Sequence, residues 1–291
     1  MTDAITDERP GTGPTARRMV LGGQLRRLRE AADISRRDAG YTIRASESKI
    51  SRMELGRVSF KERDVADLLT LYGVADKAER GMFLELVRQS GQPGWWNRYS
   101  DLIPNWFQDY VGLEEAAARI QTFEVQFVPG LLQTETYARA IVTYGLAGAS
   151  HDEVERRVSL RMQRQKILTR TKPPQLWALV DESVLYRPIG GPQVLREQLE
   201  HLFEITKTPH VSLQIVPMKF SGYTVEGAFS LMRFAEHDLP DIVYVEHLGG
   251  GLYLDKREEV EPYRQVVHRL TVNAETPEQS RQILRKRLAE L

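Results

Sequence analysis

The sequence predicts an α+β protein, in which an N-terminal all-α domain of five helices precedes a larger mixed α/β domain. Apolar residues recur at helical spacing through the first ninety positions, whereas short β-prone runs alternate with helical stretches afterwards. Between these regions lies Ser-Gly-Gln-Pro-Gly at 90–94, which breaks any helix. We therefore expect a disordered tail over 1–16, a helical domain over 17–90, a linker over 91–94 and a mixed domain over 95–291.

The composition excludes several classes of protein. The 291 residues include no cysteine, which rules out a disulfide scaffold and a thiolate zinc site, and no apolar run has the ~18 residues of a spanning helix. The segment 1–15 is acidic and rich in Pro, Gly and Thr, without the basic-then-apolar order of a secretion signal. These features predict a solvated tail on a cytoplasmic protein.

Three longer helices of the first domain show the period of an amphipathic helix. Their apolar positions are Leu21, Leu25, Leu28 and Ala32, then Val65, Leu68, Leu69 and Tyr72, then Met82, Phe83, Leu86 and Val87. Gly73 is expected to cap the second of them.

Two very short helices are predicted between the first two longer ones, in the segment 34–56. Ser35 caps a helix of roughly seven residues, 43–45 turn the chain, and Ser46 caps a helix that Gly56 ends. The small residues Ala39 and Gly40 would let another helix approach closely.

The second domain is expected to interleave strands with helices, in an order that the sequence does not fix. The predicted strands are Val125–Pro129, Leu176–Val180, Val211–Pro217, Phe229–Phe234 and Ile242–His247. The predicted helices are Leu131–Tyr144, Asp152–Thr169, Val194–Thr206 and Glu258–Leu270, with a last helix that Thr276 caps.

Charge is unevenly distributed along a chain with 40 basic and 40 acidic side chains. Residues 17–63 carry a net charge of +7, and the rest carries −7. This pattern is typical of a polyanion-binding module joined to an acidic domain, although a solvated basic surface would produce it too.

Two short helices that cross at a tight turn have the geometry of a helix-turn-helix. Ile50 and Met53 are three residues apart and point at the core, which leaves polar side chains on the outer face of the second helix. A helix fits the DNA major groove, where Arg or Lys donates to guanine and Ser bonds base edges or phosphates. A plain helical bundle with solvated arginines remains the alternative.

The segment 34–56 resembles, without gaps, the lambda-repressor and Cro-like (XRE-type) helix-turn-helix group. Ala45-Ser46 and the run Ile50-Ser51-Arg52-Met53-Glu54 before Gly56 carry the resemblance, with support from Leu21–Ala31 and Leu68–Val74. It implies a helix-turn-helix DNA-binding domain over 17–90. The implied DNA-binding residues are Arg36, Arg37, Ser46, Glu47, Ser48, Lys49, Ser51, Arg52 and Arg57.

We expect Lys49 and Arg52 to specify sequence, whereas Arg36, Arg37 and Arg57 hold the DNA backbone. Glu47 would either accept from a cytosine amino group or, as we prefer, hold a neighbouring arginine in place.

Two residues depart from the pattern of the group. Arg36 replaces its usual glutamine, which favours a phosphate contact over a base contact. Arg44 replaces the turn glycine, at a cost of about 1 kcal/mol if the left-handed conformation is kept.

An aromatic cluster follows the linker and includes Trp95, Trp96, Trp106 and Phe107. It is either a core contact between the domains or an apolar pocket for a small effector or a partner helix.

The tryptophan pair and the run Val-Pro-Gly-Leu-Leu-Gln-Thr at 128–134 resemble the WhiJ-like family of actinobacterial regulators. Its members join an XRE-type helix-turn-helix to a domain of unknown function, and some are antitoxin-like and encoded beside a small partner protein. The resemblance implies a sensor or interaction domain over 95–291, but supplies no role for the 128–134 run.

The second domain shows no convincing catalytic, metal or cofactor site in its sequence. Glu197 and His201 lack a third ligand, Glu246-His247 lacks a nucleophile, and the glycines at 249–251 suit a turn better than a phosphate cradle. We therefore predict no enzyme, no catalytic or metal-ligating residue and no cofactor.

The predicted function is a sequence-specific transcriptional regulator that binds a double-stranded DNA operator, as a homodimer over two half-sites. Its second domain would sense an effector or a small partner protein. The alternatives are an antitoxin-like interaction protein that mainly sequesters a small partner and, third, an enzymatic second domain. The sequence does not distinguish an activator from a repressor; repressor is our working assignment, and no membrane partner is expected.

Overall fold

The computed structural model describes residues 14–146, 148–220, 227–235 and 239–291, and its described part is an α+β structure as predicted. Contacts divide the chain into two units. The first contains the described residues up to Arg98, those of 234–239, and Gln108–Ala116. The second contains Tyr99–Phe107, Ala117–Arg233 and Pro240–Leu291, in its described part.

The first unit contains the five helices predicted for it, three from apolar periodicity and two short ones from their caps. They are α1 (Pro14–Ala31), α2 (Arg36–Thr42), α3 (Glu47–Glu54), α4 (Glu62–Leu71) and α5 (Lys77–Ser90). Their shared core contains Leu21, Leu25, Ile50, Met53 and Leu68, all of which are at most 2% exposed.

Helix α1 starts at Pro14, so residues 14–16, which we assigned to the tail, are helical, and Thr15 and Ala16 are buried. The remainder of the predicted tail, 1–13, lies outside the described residues.

The chain continues through a 3-10 helix (Trp95–Tyr99) and α6 (Asn105–Ala116). Further helices are α7 (Glu135–Gly145), α8 (His151–Gln165), α9 (Pro192–Ile205), α10 (Arg257–Asn273) and α11 (Pro277–Glu290). The predicted cap of the last helix is confirmed, since Thr276 and Gln279 form a reciprocal capping box.

The second unit is built on a six-stranded mixed sheet with the order β3-β2-β1-β4-β5-β6. The strands are β1 (Arg119–Glu124), β2 (Gln175–Asp181), β3 (Val211–Val216), β4 (Phe229–Arg233), β5 (Ile242–His247) and β6 (Gly250–Leu254). The first three pair in parallel, and the pairs β1–β4, β4–β5 and β5–β6 are antiparallel. The glycines at 249–251 lie in the β5–β6 hairpin, at its turn and at the start of β6.

The predicted strand at 125–129 is wrong, because the strand precedes it as β1. This central strand is covered on both faces, and Phe123 lies between Leu179 of β2 and Phe229 of β4. Polar Gln121 and Thr122 are buried with it, so β1 shows no alternation of apolar and polar residues.

Within the described ranges, no helix combines the length and the apolar character needed to cross a membrane.

Candidate DNA-binding site

Serine caps fix the start of both motif helices. Ser35 Oγ accepts from the backbone N–H of Asp38 at 3.1 Å, and Ser46 Oγ accepts from that of Lys49 at 3.2 Å. Each cap satisfies a backbone donor that the helix itself leaves unpaired. The caps predicted from sequence are therefore confirmed, and they set where α2 and α3 begin.

The turn between α2 and α3 keeps the left-handed conformation that normally favours glycine. Arg44 has a φ of 54°, and the next backbone N–H, from Ala45, donates to the carbonyl of Gly40 at 2.8 Å. A Cβ on Gly40 would lie 2.7 Å from the Ala45 carbonyl oxygen, so the helix end and the turn pack backbone against backbone.

Helix α1 supports α3 through a close backbone approach at Gly22. A Cβ at this position would lie 2.4 Å from the carbonyl oxygen of Met53 and 2.6 Å from that of Glu54. No side chain larger than hydrogen fits there without moving one of the helices.

Glu54, the last residue of α3, is buried and holds two arginines. Its carboxylate accepts from Arg29 Nε at 2.5 Å and from Arg36 Nε at 2.9 Å. Arg29 is itself only 7% exposed, and burial of both partners makes their pairing a condition for folding. The arginine-holding role that we preferred for Glu47 belongs to Glu54.

Lys49 also has a carboxylate partner within the unit. Its ammonium lies 3.1 Å from Oδ2 of Asp64 on α4, and the Asp64 side chain is only 4% exposed. About a third of the Lys49 side chain remains exposed, so the ion pair lies at the edge of the outer face.

The structure exposes Ser46, Glu47, Ser48 and Arg52 together on α3 and its cap, and half-buries Lys49 and Ser51. On α2, Arg37 is exposed and Arg36 is half-buried against Glu54. Arg57, which follows α3, is half-buried, and its charge acts on Asp109 of α6, whose pKa burial raises.

Sequence reasoning missed three residues that shape this site, one exposed and two buried. Tyr41, on the last turn of α2, is 87% exposed, which is unusual for a large aromatic side chain. Glu54 and Asp64 were missed as anchors because their partners lie 25 and 15 residues away. A signal for Glu54 existed in the sequence. Arg29 continues the helical spacing of Leu21 and Leu25, which places it on the buried face of α1, where an arginine needs a carboxylate partner.

The four aromatic residues proposed for effector binding belong to different units. In the first, the rings of Trp95 and Trp96 meet edge to face at 5.8 Å, and Trp95 Nε1 donates to Glu115 at 2.7 Å. Trp96 is buried, and a Cβ on Gly112 of α6 would lie 3.0 Å from its ring.

The other two aromatic residues, Trp106 and Phe107, lie in the second unit with their ring centroids 5.8 Å apart. The guanidinium of Arg164 lies over the Phe107 ring, 5.2 Å from its centroid, which is cation–π geometry. The carbonyl of Trp106 accepts a hydrogen bond from the hydroxyl of Tyr253.

The run at 128–134 forms a hydrogen-bonded turn between β1 and α7. Gln165 Nε2 donates to the carbonyls of Gly130 and Gln133, at 3.0 and 2.7 Å. Gln198 is fully buried and clamps the same turn, since it donates to Leu132 O at 2.8 Å and accepts from the Thr134 N–H at 2.8 Å. These bonds give the run a structural role, which is to pin the turn against α8 and α9.

The fold and the exposed face of α3 define a helix-turn-helix protein of the class that binds DNA. A family model described as a helix-turn-helix domain matches residues 20–81, which span α2 and α3. A second model, described as a domain of unknown function (DUF5753), matches residues 107–286, more than half of the chain. The chain belongs to the DUF5753 family. No curated protein and no solved structure matches it.

Proposed function

We propose that this protein is a sequence-specific transcriptional regulator of the XRE type that binds an operator through α3. The helix-turn-helix match makes DNA binding the expected activity, and the exposed polar face of α3 is the observation that supports this role. The capping serines of both helices are also exposed, which favours contacts of the helix N-termini with backbone phosphates. We keep 17–90 as the DNA-binding domain, 91–94 as the linker and 95–291 as the sensing domain.

Within α3 we assign Arg52, together with Ser46 to Ser48, to the base edges. Arg52 is exposed on the last turn, and the three residues before Lys49 are exposed on the first. Arg36, Arg37 and Arg57 would hold the backbone, with Arg36 prepositioned by Glu54. Lys49 would meet the DNA with an ammonium that also pairs with Asp64.

The remaining parts of the proposal concern assembly and regulation. We expect a homodimer over two half-sites about one helical turn apart, because a single helix-turn-helix binds modestly. The domain over 95–291 would sense an effector or a small partner protein. Regulation would be negative, as in a repressor.

Binding-site selection with the purified full-length chain tests the proposal. The wild type should return one consensus, with affinity that falls steeply as salt rises. Arg52→Ala should relax one base pair at a cost of about 1–3 kcal/mol, whereas Arg37→Ala should weaken all sequences alike. An unchanged consensus with Arg52→Ala overturns the base assignment. A stoichiometric protein partner combined with no preferred DNA sequence would instead support an antitoxin-like interaction protein.

A further inference from the structure

A group of charged side chains lies at one edge of the sheet, at the carboxyl end of β1. Glu124 is the last residue of β1, and Glu246 lies near the end of β5, which runs in the same direction because two antiparallel pairings separate them. The chain continues from β1 to β2 and β3 on one side and places β4 on the other.

Helix α8 brings two arginines to this edge on consecutive turns. Arg161 and Arg164 both interact electrostatically with Glu124. Arg164 is buried, and its guanidinium packs against the face of the Phe107 ring. Arg161 donates one hydrogen bond, to Gln133 Oε1 at 3.1 Å, which attaches it to the turn at 128–134.

Arg161 and Glu124 attract each other without making contact. In the described part of the chain, Arg161 has no carboxylate within 4.0 Å and Glu124 forms no side-chain hydrogen bond. Glu246, on the exposed end of β5, accepts from the Tyr244 hydroxyl at 3.0 Å. The half-buried guanidinium and carboxyl therefore keep hydrogen-bonding capacity that the oxygen atoms of a ligand can use.

The surroundings of Glu124 and Arg161 also shift the pKa of each group. Burial, together with the charge of Glu246, raises the pKa of Glu124 to about 8, so this carboxyl is mostly uncharged at neutral pH. Burial and the neighbouring charge of Arg164 lower the pKa of Arg161 to about 10, which still leaves it charged. The site therefore holds a desolvated cation beside a neutral acid that can donate a hydrogen bond.

We propose that Arg161 and Glu124 bind the anionic group of a small effector, a carboxylate or a phosphate. The guanidinium would pair with the anion in two-pronged geometry, and the Glu124 hydroxyl would donate to one of its oxygens. This inference rests on the sensing role proposed for the second unit and gives that role a ligand class.

Calorimetric titration of the full-length protein, without DNA, tests the inference. The probes are inorganic phosphate, acetate and benzoate, with chloride at equal ionic strength as the reference. We expect one of the oxyanions to bind, and Arg161→Gln to weaken that binding about tenfold or more. Arg156→Gln is the matched control, since this arginine of the same helix pairs with exposed Asp101 and should leave binding unchanged.

The pH dependence separates this site from any other anion site. Binding should weaken as the pH rises past about 8, where Glu124 ionises and repels the anion, and Glu124→Gln should remove that dependence. If Arg161→Gln fails to fold, Arg161→Lys keeps the charge and should retain weaker binding. Equal affinity in Arg161→Gln and Arg156→Gln, or no oxyanion effect beyond chloride, overturns the inference. Because no DNA is present, either result leaves the proposal of operator binding standing.

Discussion

The ammonium of Lys49 lies 3.1 Å from the buried carboxylate of Asp64, so a cation on the outer face of α3 is tied to the next helix, α4. An ion pair of this kind limits how freely the lysine can turn toward DNA, and it neutralises part of the positive charge that the DNA would meet. The contribution of Lys49 to binding therefore depends on Asp64.

Asp64→Asn should tighten DNA binding, because it releases Lys49 for a phosphate. One additional phosphate contact steepens the plot of log affinity against log salt by about 0.9. Fluorescence anisotropy across a salt series measures this slope. Asp67→Asn, an exposed acid on the same helix, is the control for the loss of one negative charge. Equal slopes in the two variants would show that the ion pair does not restrain Lys49.

Glu54→Gln should destabilise the first unit by about 3–5 kcal/mol, because it removes the buried carboxylate that pairs with buried Arg29. Glu85→Gln is the control, since Glu85 pairs with Arg88 on the solvent side of α5 and should cost less than about 1 kcal/mol. Urea unfolding followed by circular dichroism gives both values. Similar losses in the two variants would contradict a structural role for the buried pair.

Gly22→Ala should lower the free energy of unfolding by about 1–3 kcal/mol, because its Cβ would overlap two backbone carbonyls of α3. Gly81→Ala on α5 has nothing within 4 Å of the new Cβ and should instead raise stability by about 0.5–1 kcal/mol through helix propensity. The opposite signs of these two Gly→Ala changes are the test, and a gain at Gly22 would rule out the tight approach of α1 to α3.

Arg44→Gly should stabilise the chain by up to about 1 kcal/mol, because glycine adopts the φ of 54° without strain. Part of the gain is offset by the greater freedom of glycine in the unfolded chain. Arg37→Gly, placed within α2, has helical backbone and should lose about 0.5–1 kcal/mol. Thermal unfolding compares the two, and a loss at Arg44 would mean that its side chain contributes more than its backbone costs.

Glu124 should make the stability of the protein fall as the pH rises. Its folded pKa of about 8 lies above the ordinary value of 4.5, so between these values the folded state binds more protons than the unfolded state. Stability from Glu124 is thus complete below about pH 4.5 and is lost as the pH rises through about 8. Glu124→Gln should remove this fall, so the difference in unfolding free energy between wild type and variant should change from pH 5 to 9 in urea unfolding. A parallel pH dependence in both proteins would exclude this carboxyl as the cause.

The sequence predicted the parts of the motif that depend on neighbouring residues. The caps at Ser35 and Ser46 and the glycine at the end of α3 follow from contacts within a few residues, and the structure has them. For the turn at Arg44 the residue type left open whether the left-handed conformation is kept or the turn is altered, and the structure keeps it.

Features that depend on distant residues could not be predicted in the same way. Glu54 meets Arg29 only because α1 crosses α3, and the position of β1 was missed because a strand buried on both faces loses its alternating pattern. The strand order and the convergence of Arg161 with Glu124 arise from chain crossings that no local pattern encodes.

The burial of Glu54 separates two properties of α3 that the sequence presents side by side. In the stretch that carries the resemblance, Ile50, Met53 and Glu54 face inward, whereas the side chains from Ser46 to Ser48 and Arg52 face solvent. Substitutions at those outward positions leave the packing of α3 intact, so the surface proposed to read DNA can be altered without rebuilding the helices beneath it.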